Sequence, residues 1–134
     1  MKTELTQILF EKYPNQFTNL KYIECGDGWY EIISRCCNCV QNHLDYLEKQ
    51  NKTRDFYWTQ IKEKFSMLRM YNYGADEYIR GVEDMACIMS GCICEYSGNK
   101  GKIRHQRIDP ETRETVRAWV KCMSDDVAKQ EGYI

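Results

Sequence analysis

Cysteine is the residue type with the most chemistry to offer in this chain, with eight among 134 residues. Cys92, Cys94 and Cys122 are the metal-site candidates. The stretch SGCICEYSGNKG carries the first two ahead of a glycine-containing turn. A structural zinc needs four ligands converging tetrahedrally, usually thiolates and imidazoles from two short knuckles. Cys92-x-Cys94 has the wrong spacing for a usual knuckle, and no C-x-x-C follows in the last third of the chain. Ser97 stands where a second thiol is wanted, leaving Asp125 or His105 as a fourth ligand. An incomplete set binds metal weakly. The three thiols are therefore read as core residues or remnants; no cofactor is expected, and zinc is the one that the residue types leave open.

Thiol catalysis needs a base beside the sulfur. The two histidines are His43 and His105, and no nucleophile motif surrounds either. Cys36, Cys37 and Cys39 fall in a helical pattern, where free cysteine serves as a small hydrophobe. Deaminase, P-loop, dinucleotide and H-E-x-x-H signatures are all missing. The acidic pairs Asp76-Glu77 and Glu83-Asp84 suit solvated helix faces. The sequence thus reads as a non-enzymatic protein.

Binding chemistry is better represented. Lys62, Lys64 and Arg69 interleave with Tyr71 and Tyr73, a mixture suited to stacking on a base while holding a phosphate. Lys100, Lys102, Arg104, His105 and Arg107 form a denser basic run, which also suits a solvated strand edge protected from aggregation. The candidate contact residues are Lys62, Lys64, Arg69, Tyr71, Lys102 and Arg104. A net charge of −1 supplies no global field for nucleic acid, so such binding would need a local patch.

The elements that must position these residues follow from periodicity. A first helix is expected from Thr3 to Lys12, ended by Pro14. Asp27, in ECGDGWY, is placed to cap a second helix with Trp29 as its core anchor. Ile33, Cys36, Cys37, Val40, Leu44 and Leu47 make that helix the clearest amphipathic one. Residues 54–73 read as one or two strands bending near Ser66-Met67, although a tight primed turn prefers glycine or asparagine. A third helix runs from Ala75 to Ser90, with Tyr78, Ile79, Val82, Ala86 and Met89 as its core face and Gly91 at its end. Residues 110–122 fit either a helix or the second strand of a hairpin.

The segments GDGW, QIKEKFSMLRMY, SGCICE and a later W…C occur in an order that resembles a group of small, largely uncharacterised proteins of phages and prophages. The resemblance spans roughly residues 13 to 125. Related members carry a C-terminal cysteine ribbon of the form CE-x-CG…C-x-x-H. It implies an α+β domain with a C-terminal hairpin, tipping residues 102–122 towards strands, and no established activity. The chain departs from it at Ser97, at Ser66-Met67 in place of a glycine-rich turn, and at Ser124, Asp125 or Asp126 in place of a histidine.

The expected fold is one α+β domain over residues 1–134: about three helices on a small, mostly antiparallel sheet, a C-terminal β-hairpin and a short terminal helix. The expected function is a phage- or mobile-element-type binding protein, inhibiting a host defence factor by occupying a host protein or a small charged ligand. A zinc-ribbon-like, degenerate nucleic-acid-binding module is the alternative. No apolar run reaches the 18 or so residues of a membrane span, and the N-terminal MKTELTQILFEKYP carries Glu4 and Glu11. A cytoplasmic location, host cytosol for a phage protein, is expected, and the aromatic content is compatible with a homodimer.

Overall fold

Proline and glycine divide the chain as their backbone chemistry dictates. The computed structural model describes residues 1–134. α1 (Thr3–Lys12) stops ahead of Pro14, and a short 3-10 turn over Asp27–Trp29 leads into α2 (Tyr30–Lys49). β1 (Tyr57–Lys64) and β2 (Met67–Tyr73) form a hairpin, followed by α3 (Glu77–Ser90). β3 (Lys102–Ile108) and β4 (Thr115–Met123) form a second hairpin, and α4 (Asp125–Gln130) closes the chain. The fold is α+β with a C-terminal hairpin and a short terminal helix, and residues 115–123 are strand. The antiparallel strands make two separate two-stranded sheets. No helix is long and apolar enough to cross a membrane.

The core forms where α2, α3 and the β1–β2 hairpin meet. Trp29, Ile33, Val40, Trp58, Ile61 and Leu68 are among its largest fully buried side chains, with Leu9 and Ile79. Gln16 is buried among them and satisfied on all sides. Its Nε2 donates to Cys37 O at 3.0 Å and Gln41 Oε1 at 3.1 Å, and its Oε1 accepts from Trp58 Nε1 at 3.0 Å. α2 and α3 run antiparallel. His43 stacks on Tyr78 with centroids 4.2 Å apart, while Ile32 shares a trough with Met89 and Ile93.

Several expectations change. The bend after β1 falls at Phe65 and Ser66, whose φ values of 50° and 68° are left-handed, as in a primed turn. Neither residue favours that region. The Ser66 N–H donates to Glu63 Oε1 at 2.8 Å, and the Phe65 ring stacks on Trp119. Tyr78 and Met89 are exposed rather than core, because α3 turns Ile79 and Ala86 inward. Asp27 does not cap α2. Its carboxylate accepts from Lys2 N at 2.7 Å and so ties the N-terminal segment down.

Candidate functional site

GDGW and CICEYSG, far apart in sequence, dock backbone against backbone. Gly28 N donates to Glu95 O at 2.7 Å, Gly26 N to Glu95 Oε1 at 3.2 Å, and Trp29 Nε1 to Ile93 O at 2.8 Å. A Cβ on Gly28 would lie 2.2 Å from Cys94 O, and one on Gly26 2.4 Å from Glu95 O. Both positions need glycine because another stretch of main chain occupies the space. The GDGW loop is therefore a docking element and not an anion cradle.

Beneath this junction lies a small charged core. Lys121 Nζ of β4 is 3.0 Å from Glu63 Oε2 of β1 and 3.6 Å from Glu95 Oε2. Glu95 Oε2 is fully buried and makes no hydrogen bond, the lysine being within ion-pair range only. Burial pushes the Glu95 carboxyl above its usual range, with Lys121 pulling it down and Glu63 pushing it further up. For Lys121, burial favours loss of the proton, but its bond to Glu63 and the charge of Glu95 win, and its affinity for the proton rises. The three residues join the first hairpin, the segment after α3 and the second hairpin at one point.

The thiols expected to converge do not share a centre. Cys92 is exposed and its Sγ donates to Met89 O at 3.2 Å; Cys122 Sγ donates to Ile93 O at 3.2 Å. Burial and the neighbouring Cys94 and Cys92 push the Cys122 thiol up to about 11. Asp125 is engaged by Arg104 and Lys102, and His105 is exposed on β3. No group of three or more histidine, cysteine or acidic side chains is arranged to hold a metal. The donor set does not fit zinc.

Cys94 has a different environment. Ser97 N donates to its Sγ at 3.4 Å, and Ser97 Oγ lies 3.4 Å from Ser124 Oγ. Burial raises the Cys94 thiol, but the Ser97 hydroxyl and the backbone N–H groups of Ser97, Ser124 and Tyr96 outweigh it and hold it below its ordinary value. The loop is closed by these bonds and by Met123 and Ala128 packed against Cys94. Ser97 and Ser124 are the residues whose groups hydrogen-bond around Cys94, with Cys122 as a neighbour.

The acidic pairs are less solvated than expected. Asp76 caps α3 by accepting from Ile79 N at 3.0 Å and binds His43 Nε2 at 2.6 Å. Glu83 receives Asn72 Nδ2 from β2. Burial and the charge of Asp84 push its carboxyl up to about 7 against the pull of Arg80. The folded chain therefore holds this proton more tightly than the unfolded chain. The resulting stability is complete below the ordinary glutamate range and lost as pH rises through about 7. Glu83 is partly exposed, so screening keeps the effect to about 1 kcal/mol. In thermal melts, Glu83→Gln should stabilise the protein at pH 8 and leave it unchanged near pH 4; equal effects at both would refute this.

The exposed surface carries an aromatic and basic stripe. Lys21, Tyr22, Lys62 and Tyr71 line an open trough beside β1, with Lys62 Nζ 5.8 Å from the Tyr71 ring centre. At the hairpin tip Lys64 Nζ lies 6.0 Å from the Phe65 ring, and Phe65 stacks on Trp119 at 6.0 Å. Tyr22, Phe65 and Trp119 are 65%, 60% and 61% exposed. Trp119 is presented by a bulge: Arg104 pairs with Lys121 and Gln106 with Arg117, setting three residues of β4 against His105 alone. Lys21, Lys62, Lys64 and Arg117 make no ion pair.

The structure divides the six candidate contact residues. Lys62, Lys64 and Tyr71 lie in the stripe. Arg69 instead points its guanidinium at Cys87 Sγ of α3, while Lys102 and Arg104 sit on the second hairpin, both paired with Asp125. Sequence reasoning missed Tyr22, Phe65 and Trp119 as surface residues. An aromatic at a hairpin tip was the available signal for Phe65; nothing local marked Trp119. No family model, curated protein or solved structure matches the chain.

Proposed function

We propose that this chain is a non-enzymatic binding protein whose stripe engages a single-stranded nucleic acid. Four exposed aromatic rings beside four cations free of ion pairs carry the reading: Tyr22, Tyr71, Phe65 and Trp119 with Lys21, Lys62, Lys64 and Arg117. Stacking tolerates any base, since every base has a π face, and the lysines track the backbone. Charge is also unevenly distributed. Residues 100–123 hold seven basic and three acidic residues, a net +4, leaving −5 on the rest of a chain of net −1.

Titration of the protein into a fluorescein-labelled oligo-dT strand, followed by anisotropy, tests the reading. Binding should weaken steeply between about 50 and 200 mM salt, and Lys62→Ala should flatten the salt slope by about 0.7. Each stacked base is worth about 1–3 kcal/mol, so Tyr71→Ala with Trp119→Ala should weaken binding roughly 100-fold. Trp29 and Trp58 are buried, so quenching of tryptophan fluorescence on binding would report Trp119. No binding at low salt, or a double variant that binds like the parent, would overturn the proposal.

A further inference from the structure

Two of the four exposed rings come from different sheets. Phe65 stands in the turn of the first hairpin and Trp119 on β4 of the second, and the two sheets share no hydrogen-bonded ladder. Their rings nonetheless stack, with centroids 6.0 Å apart and planes 25° from parallel. One side chain reaches both places. Glu63 Oε1 accepts the Ser66 N–H at 2.8 Å inside the turn, and Glu63 Oε2 accepts from Lys121 Nζ of β4 at 3.0 Å. Phe65 follows Glu63 by two residues and Trp119 precedes Lys121 by two, so the ionic and aromatic contacts run in step. The carboxylate is mostly shielded from water, and Ser66 is buried.

We propose that Glu63 is a positioning residue, whose two carboxylate oxygens set Phe65 and Trp119 side by side as one stacking surface. The use of that surface rests on the nucleic-acid reading above, whereas its assembly belongs to the free protein. Both partners of Glu63 are donors, a backbone N–H and an ammonium. A carboxylate accepts at each oxygen, but an amide of the same shape offers one oxygen and one NH2. Glutamine therefore leaves either Ser66 or Lys121 facing another donor. Aspartate keeps the charge and both oxygens but is one methylene shorter, so the two bonds compete. Charge alone predicts the opposite trend for binding. Glu63 lies between Lys62 and Lys64, and neutralising it would strengthen the attraction of this segment for phosphate. Weaker binding by the glutamine variant thus separates placement from field.

Trp29 and Trp58 are fully buried, so acrylamide quenching of tryptophan fluorescence in the free protein reads Trp119. Quenching of Glu63→Gln should exceed that of the parent and approach that of Phe65→Ala. Glu63→Asp should fall between, and it carries the same test should the glutamine variant fail to fold. With oligo-dT, Glu63→Gln should bind about tenfold more weakly, the low end of one stacked base. Its salt slope should stay that of the parent, because no phosphate contact is lost. In a Phe65→Ala background the same change should cost little more. Parental quenching in both Glu63 variants, or tighter binding by Glu63→Gln, would overturn the proposal. Altered quenching in a protein that binds no oligo-dT would support the placement and remove its use with nucleic acid.

Discussion

Gly28→Ala should lower the melting temperature by about 10 °C or more, an effect out of proportion to one methyl group. The added carbon would sit 2.2 Å from Cys94 O, 2.5 Å from Gly98 N and 2.6 Å from Glu95 O. All three are main-chain atoms, so no side chain can rotate away to make room. Overpacking of a well-filled site typically costs about 1–3 kcal/mol. Here relief also means parting Gly28 N from Glu95 O and drawing Trp29 Nε1 away from Ile93 O, each bond worth about 1 kcal/mol net. Together these approach about 3–5 kcal/mol, against a total stability of about 5–15 kcal/mol for an ordinary domain, and each kcal/mol moves the transition by several degrees. Calorimetry or near-ultraviolet dichroism reads the result. An alanine variant melting alongside its parent would mean that the two motifs do not interlock as described.

Lys121→Met should be comparably damaging at neutral pH and much less so in acid. The substitution keeps the stem and removes the charge, leaving Glu63 and Glu95 with side chains 12% and 5% exposed and no cation between them. Removing one partner of a buried ion pair costs about 3–5 kcal/mol. Glu95 is already raised by burial, and losing Lys121 removes the main influence holding it down. A carboxyl raised in the folded state stabilises it below the ordinary glutamate value, about 4.3, and that contribution is lost as pH rises through the folded value. The deficit should therefore be largest near pH 8 and shrink towards pH 4. Adding Glu95→Gln to Lys121→Met should return part of the lost stability at pH 8. A deficit independent of pH would assign the effect to packing instead.

The helices and the first hairpin were legible because their signals are local. Pro14 ends α1, the Ile33–Cys37–Val40 spacing makes α2, and alternation through QIKEKF makes β1. Asp27 was misread because a carboxylate before a helix usually caps it, whereas this one meets the N-terminal segment, which periodicity cannot place. Nothing local marks Glu95 and Lys121; only the approach of the second hairpin to the first and to the segment after α3 buries them together. The candidate surface was half visible for the same reason. Lys62 and Tyr71 are neighbours across one hairpin, while Trp119 joins them through a bulge in the other. Cys94 and Ser97 were readable as a broken knuckle and Ser124 as one stand-in for its missing histidine, but the return of β4 is what sets Ser124 against Ser97.

The junction of GDGW with the segment around Glu95 also bears on the order in which the molecule assembles. Both hairpins and every helix can form from neighbouring residues, but Gly26 must wait for Glu95, 69 residues further on. Closing so long a loop carries an entropic cost that no contact repays until the ends have met, and such long-range pairings are the slow ones in folding. During synthesis, α2 therefore emerges without its anchor. Trp29 has no acceptor for its indole N–H until residue 93 has left the ribosome. The clasp between GDGW and Glu95 therefore closes only after α2 and the first hairpin have both been made.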